Sequence, residues 1–250
     1  SVTMEAEQYI PFDIKDVNID FHVLGPNKHN VEQVDILLVA AKKDIIKEYT
    51  GILESVGITP GNVDVDVLAL QNCYELNSGG GQHTTALIDI GASKTSLNII
   101  KNNVPVFMRD VSLGCGQIDQ QIVSQCECSI EDARKIKLDR QSEKITAEEI
   151  DEIESVVIKN WCTEIRRAID FFYSTYPDDS FNQVILSGGG ANIEEFRKLL
   201  ALETSSEVEV INPFINVQIN RGRFDSDYID SIAPQAAVCV GLALRRADDK

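Results

Sequence analysis

Positive charge is scarce in this sequence. Its 23 Lys and Arg stand against 40 Asp and Glu, a formal net charge of −17 at pH 7. No basic cluster exists to neutralise phosphates, which excludes a nucleic-acid or anionic-membrane surface and leaves soluble partners as the expectation. Long apolar runs are also missing. None reaches the ~20 residues that span a bilayer, and no signal peptide opens the chain. Histidine is limited to His22, His29 and His83, and of six cysteines only Cys126 and Cys128 stand close together. A structural zinc site takes about four ligands in paired spacing, so the thiols read as reduced, structural residues of a cytosolic protein. An initial methionine is absent too. The chain opens on Ser1, as a piece of a longer protein would.

What is present suffices for two lobes: 250 residues exceed the usual size of one modest domain. Helix formers in Val2 to Tyr9 are stopped by Pro11. Val17 to Leu24 alternates and predicts a half-buried strand, and the apolar run Val34 to Ala41 predicts a strand buried on both faces. Ile45, Ile46, Tyr49, Ile52, Leu53 and Val56 then recur at helical spacing, with Gly57 where a C-terminal cap belongs. A strand over Val63 to Val67 completes a β-β-α-β unit, and a helix follows over Leu68 to Leu76. The glycine-rich stretch Ser78 to Gln82 reads as a linker into the second lobe.

In that lobe, strands are expected over Thr84–Ile90, Thr95–Ile100 and Val104–Val111, as an antiparallel meander. A helix follows from about Gln117 to Cys126. The pairs Ser129/Asp132 and Thr146/Glu149 are spaced as N-terminal caps. The second opens a long helix whose stripe Ile150, Ile153, Val157, Trp161, Ile165, Ala168, Phe172 and Tyr176 runs to Pro177. Then come a strand over Gln183–Leu186, Gly188-Gly189-Gly190, a helix from Ile193 to Leu202, a strand over Val208–Ile211 and an irregular stretch. A closing helix rich in small residues spans Pro234 to Arg245.

Chemistry concentrates at the turn after Ile90. Asp89, Gly91, Ser93, Thr95 and Ser96 bring a carboxylate, a residue without Cβ and three hydroxyls beside backbone N–H groups that the turn leaves unpaired. Such concavities bind anions, and a carboxylate at a strand end holds hydrated Mg²⁺. The same residues also suit an ordinary β-hairpin turn. Likewise Ser187 to Gly190, between a strand and a helix N-terminus, either lets a nucleotide approach the backbone or is a plain connection.

Three stretches in order resemble the actin-like ATPase superfamily, an α/β fold of the ribonuclease H-like type. They are Asp89-Ile90-Gly91-Ala92-Ser93-Lys94-Thr95, Leu186-Ser187-Gly188-Gly189-Gly190-Ala191-Asn192, and Ala237 to Leu244. The start, Met4-Glu5-Ala6-Glu7-Gln8-Tyr9-Ile10-Pro11-Phe12-Asp13, with Asp66-Val67-Leu68-Ala69-Leu70, is similar to the PilM family of type IV pilus assembly proteins, relatives of FtsA, over essentially the whole chain. The resemblance implies ATP and Mg²⁺ as cofactors, with at most slow turnover. Asp89 would orient Mg²⁺ through water. Gly91, Ala92, Ser93 and Thr95 would hold the β- and γ-phosphates, Gly188, Gly189 and Gly190 the α-phosphate and adenosine. Lys137 would sit at the ribose or base, where Arg134 replaces the family's Glu.

It further implies residues 1–77 as the remainder of a first lobe, with an extra subdomain at about 14–67, and 78–250 as the second lobe. Its first phosphate loop has no counterpart before Met4, so truncation of a longer chain is expected. The implied role is a cytoplasmic scaffold, peripheral to the inner membrane, that docks the cytoplasmic tail of a PilN-like partner and links it to the pilus motor ATPases. Competing readings are an FtsA-like protein that polymerises with ATP and a small-molecule kinase of the same superfamily.

Overall fold

A computed structural model describes residues 5–27, 30–79, 83–220 and 222–246. Residues 2–4 of the expected first helix, 80–82 of the linker and His29 lie outside them. Two compact units separate at Val63/Asp64, with Arg246 returning to the first.

In the first unit, β1 (Val17–Pro26) pairs antiparallel with β2 (Val34–Lys42), Val17 opposite Lys42. Helix α1 (Lys43–Ser55) follows, and Gly57 at φ +79 donates its N–H to the Glu54 carbonyl. The Lys42 ammonium stands 4.1 Å from the Phe12 ring centroid, a cation–π contact. The double burial expected of β2 does not occur, since Val34 is 58% exposed and the strand interior is only half-buried. Two strands and one helix cannot cover both faces of a sheet.

The strand expected over Val63–Val67 is absent as well. The chain there is unpaired until α2 (Asp66–Ser78) begins. The reason is local: Asp66 places a carboxylate in the first turn, where it accepts the Val67 N–H at 2.9 Å and faces the positive end of the helix dipole. Alternating valines make a strand only where a partner edge is offered.

The second unit is built on one five-stranded sheet ordered β5-β4-β3-β6-β7. Its strands are β3 (Thr84–Ile90), β4 (Thr95–Lys101), β5 (Val104–Val111), β6 (Gln183–Ser187) and β7 (Glu207–Val210). The first three form the expected antiparallel meander, and β6 and β7 add parallel to β3. Alternate residues of β3 therefore serve two cores. Ala86, Ile88 and Ile90 pack with α3 (Gly116–Cys126), α4 (Ile130–Asp139), α5 (Ala147–Thr175) and α6 (Glu194–Thr204). Leu87 packs with α2 and α7 (Ser226–Ala243) on the opposite face.

Helix α5 carries the larger core. Thr146 and Glu149 form a reciprocal capping box that stabilises its start by about 1 kcal/mol. Trp161, fully buried, donates Nε1–H to Gln117 Oε1 at 2.7 Å and meets Phe196 edge-on at 5.7 Å, which ties α3, α5 and α6 together. All six cysteines are free thiols. Burial pushes Cys73 up to about 11 and Cys162 up to about 12, as expected of structural thiols.

The closing helix starts eight residues earlier than the expectation based on Pro234. Asp225 caps it by accepting the Tyr228 N–H at 3.0 Å, and Pro234 lies inside. Proline suits a first helical turn, so the sequence suggests a start there, but capping and packing override it. The small residues do allow close approach. A Cβ on Gly241 would fall 1.8 Å from the Ala69 carbonyl oxygen, so α2 and α7 touch backbone to backbone. Gly241→Ala should therefore destabilise the second unit by about 3 kcal/mol through forced separation of these helices. Urea denaturation showing a loss below about 0.5 kcal/mol would contradict this packing.

Candidate functional site

Register assembles the site. In the sheet Asp110 lies opposite Ser96, Ser96 opposite Asp89, and Asp89 opposite Ser187. Directly opposed residues share a face, so four polar side chains cross β5, β4, β3 and β6 in one row. They lie on the face of Leu87, where α2 packs. That helix adds Asp66 in its first turn.

The row is partly buried and electrostatically tense. Burial raises the Asp89 pKa and the Asp66 carboxylate raises it further, while the Ser187 hydroxyl and the Lys94 ammonium pull it down. The Lys94 Nζ lies 2.7 Å from Asp66 and 3.2 Å from Asp110. Burial works against that ammonium, but its hydrogen bond to Asp66, then Asp110, leaves its pKa raised. Ser96 is only 2% exposed, and its Oγ has no hydrogen-bond partner among the described residues. An orphaned buried hydroxyl beside carboxylates fits a polar ligand.

Above the row, the turn 91–94 is closed by the Gly91 N–H on the Lys94 carbonyl at 2.9 Å. The carbonyls of Gly91 and Ala92 fold the other way and accept the N–H groups of Cys115 at 3.0 Å and Gly116 at 2.7 Å. A Cβ on Gly114 would sit 2.5 Å from the Gly91 oxygen, so only glycine permits this contact. The N–H groups of Ala92, Ser93 and Lys94 find no acceptor among the described residues. Ala92 and Ser93 are exposed, and successive turn N–H groups without acceptors suit an anion. Thr95 is fully buried and its hydroxyl donates to the Leu113 carbonyl at 2.9 Å, which fastens the turn to the segment before α3.

The glycine run approaches from β6. Gly188 has φ +82, and a Cβ there would lie 2.3 Å from the Ile90 carbonyl oxygen. Its N–H and the Ser187 hydroxyl both donate to the Pro234 carbonyl, at 2.9 and 3.0 Å. A Cβ on Gly190 would meet Ile90 Cγ2 at 2.5 Å and Cys115 Sγ at 3.2 Å. Gly189 is different. It is exposed, and its nearest neighbour would be Gln235 at 3.9 Å.

Lys137, on α4, is ion-paired with Asp119, whose side chain is 6% exposed. Arg134 Nε reaches the same carboxylate at 3.4 Å. The Lys137 charge is felt at Cys115, where burial raises the thiol pKa and Lys137 lowers it, so this ammonium lies near the segment that cradles the turn. The structure thus gathers Asp89, Gly91, Ala92, Ser93 and Gly188 to Gly190 around the ends of β3 and β6, with Thr95 and Lys137 engaged in internal bonds.

Sequence reasoning missed Asp66, Asp110 and the part Ser187 plays in the row. Asp66 fell in a stretch read as strand, and Asp110 and Ser187 become neighbours of the turn only through register. The signal available was the pairing of three adjacent strands, counted outward from Gly91.

The two neighbouring glycines separate scaffold from ligand access. Gly188→Ala should destabilise by about 2 kcal/mol, because it combines a positive φ with a clash against backbone. Gly189→Val should alter stability by less than about 0.5 kcal/mol yet obstruct a phosphate ligand at the 188–190 segment. Thermal melts together with nucleotide titration of both variants check this, and equal melting temperatures would contradict it.

Comparison with known structures follows from this geometry. The chain is similar to one in a PilM-PilN type IV pilus biogenesis complex, with 28% identity over 99% of this chain and 71% of that one, TM-score 0.85. MreB5 of Spiroplasma citri bound to ADP matches at 12% identity over 82% of this chain and 65% of its own, TM-score 0.56. Ta0583, an archaeal actin homologue, matches at 16% identity over 70% and 52%, TM-score 0.50. At such identities the last two show the fold alone, and that fold is the actin-like ATPase one. The family model described as type IV pilus assembly protein PilM matches residues 1–247. With that match spanning nearly all 250 residues, the chain belongs to the type IV pilus assembly protein PilM family.

Proposed function

We propose that this chain is a nucleotide-binding scaffold of type IV pilus assembly, holding Mg-ATP at the row and turn around Asp89. The observation that carries the reading is that three turn amides and a buried hydroxyl, all without a partner among the described residues, stand beside a partly buried carboxylate row at the strand ends where Gly188 meets Ile90. Related folds solved with ADP or AMPPNP support a nucleotide as ligand.

Each residue has a task that follows from its place. Asp89 and Asp66 hold the water shell of Mg²⁺, since hard cations take oxygen ligands and Mg²⁺ keeps several waters. The amides of Ala92, Ser93 and Lys94 donate to terminal phosphate oxygens, with the Ser93 hydroxyl beside them. Gly91 and Thr95 fix the turn that presents those donors. Gly189, bare of side chain, lets the α-phosphate and adenosine approach, between Gly188 and Gly190, which lock the segment against β3. Lys137, steered by Asp119, faces the ribose or base. Bound Mg²⁺ supplies neutralisation of the phosphate charge.

The partner reading rests on the similar PilM-PilN complex. In it this chain receives the cytoplasmic tail of an inner-membrane PilN-like protein and links it to the pilus motor ATPases. No described helix is long and apolar enough to cross a membrane, so membrane association through a partner is the arrangement proposed. The protein works as a cytoplasmic component held at the inner membrane.

Calorimetric titration tests the core of the proposal. Mg-ATP should bind saturably, and Asp89→Ala should weaken it roughly ten- to a hundredfold by removing a charge-assisted contact, with thermal stability retained. A parent chain that binds no Mg-ATP, or an Asp89→Ala chain that binds equally well, contradicts the nucleotide reading. A synthetic PilN-like tail that fails to bind with and without ATP contradicts the partner reading.

A further inference from the structure

Lys94 is the one residue of the turn whose position the proposed ligand does not explain. Instead of extending into solvent from the tip of the hairpin, it bends back and is shared between Asp66 on α2 and Asp110 on β5. Asp66 flanks the row from α2 and Asp110 is its outer member on β5, and Asp89 lies within electrostatic reach of both Lys94 and Asp66. Without a cation beside them the Asp66 and Asp89 carboxylates would repel one another. Ser96 stands between Asp110 and Asp89 in the row, 2% exposed, with its Oγ unbonded among the described residues. An oxygen donor buried in this way within a carboxylate row is suited to a hard divalent cation or its water shell, and an ammonium that stops at the outer carboxylates leaves it unsatisfied.

We propose that Lys94 is a tethered counter-ion of the acidic row, occupying Asp66 and Asp110 until a divalent cation displaces it. The inference rests on the reading of the Asp89 row as a magnesium site and adds its regulation. In the metal-free chain the ammonium offsets part of the negative charge and holds α2, the turn and β5 together. A hydrated Mg²⁺ at Asp89 would compete for Asp66 and weaken the hold on Lys94, which belongs to the same turn as the acceptor-free amides of Ala92 and Ser93. There a second positive charge can meet phosphate. The exchange gives ordered binding: metal entry costs the lysine its partners, and the incoming phosphate restores one. Cation without nucleotide therefore binds weakly, and cation with nucleotide binds well.

Lys94→Gln isolates the idea, because it removes the charge at a half-buried turn position while keeping a polar, unbranched side chain only one bond shorter. Mn²⁺, a spectroscopic stand-in for Mg²⁺, is titrated alone into the parent, Lys94→Gln and Asp89→Asn chains and followed by paramagnetic resonance. The expected result is binding roughly three- to tenfold tighter in Lys94→Gln than in the parent, in keeping with the loss of two partly exposed ion pairs, and weaker binding in Asp89→Asn. A second readout is amine acylation of the parent. Lys94 should label slowly without cation and severalfold faster with Mg²⁺. Equal or weaker Mn²⁺ binding by Lys94→Gln overturns the proposal, as does acylation of Lys94 indifferent to Mg²⁺. Mg-ATP titration of the parent separates the two readings. If ATP binds and Lys94→Gln leaves Mn²⁺ affinity unchanged, the counter-ion fails alone; if Lys94→Gln tightens Mn²⁺ and ATP does not bind, the counter-ion stands and the nucleotide reading fails.

Discussion

The close approach of Gly188 to the Ile90 carbonyl is the constraint on which the second unit depends. A Cβ at 188 would lie 2.3 Å from that oxygen, so the β6 end and the β3 end meet with no side chain between them. This contact brings Ser187 level with Asp89, and it lets the Pro234 carbonyl accept both the Gly188 amide and the Ser187 hydroxyl. The end of the sheet, the start of the glycine run and the middle of α7 are fixed at one point. The residues of the proposed site are arranged around it.

Two further contacts carry the constraint outward. Gly114 and Gly116 press against the carbonyls of Gly91 and Ala92, which accept the Cys115 and Gly116 N–H groups, while the amides of Ala92 and Ser93 keep no acceptor among the described residues. Gly241 lies against Ala69, which keeps α2 close enough for Asp66 to reach Lys94. Glycine thus serves three different approaches of backbone to backbone, and each approach positions a different part of the site. The hydrophobic cores on the two sheet faces supply the stability that makes such tight, polar geometry affordable.

Much of this was legible in the residues. Alternation and capping pairs located β3, β4, β5 and α5, because a strong period and a Thr146/Glu149 box act locally. The turn that carries Asp89, Gly91 and Ser93 was legible for the same reason. What the sequence hid depends on distant partners. The Val63–Val67 alternation looked like a strand but met no open sheet edge, and Asp66 became a helix start. Pro234 marked a helix beginning by local preference, yet the Asp225 cap set it earlier. Asp110 and Ser187 join the site only because strand register carries them there, and no single window of sequence contains them both.

The chain belongs to the PilM family and has the actin-like fold, and the proposed nucleotide reading stands on whether the turn amides meet phosphate. Hydrogen–deuterium exchange resolved at residues 91–94 and 188–190, with and without Mg-ATP, tests that most directly. The account predicts that exchange at Ala92, Ser93 and Lys94 is fast in the free chain and slows at least about tenfold with Mg-ATP, as expected when solvent-facing amides gain phosphate acceptors. Unchanged exchange at the turn under saturating Mg-ATP would contradict it.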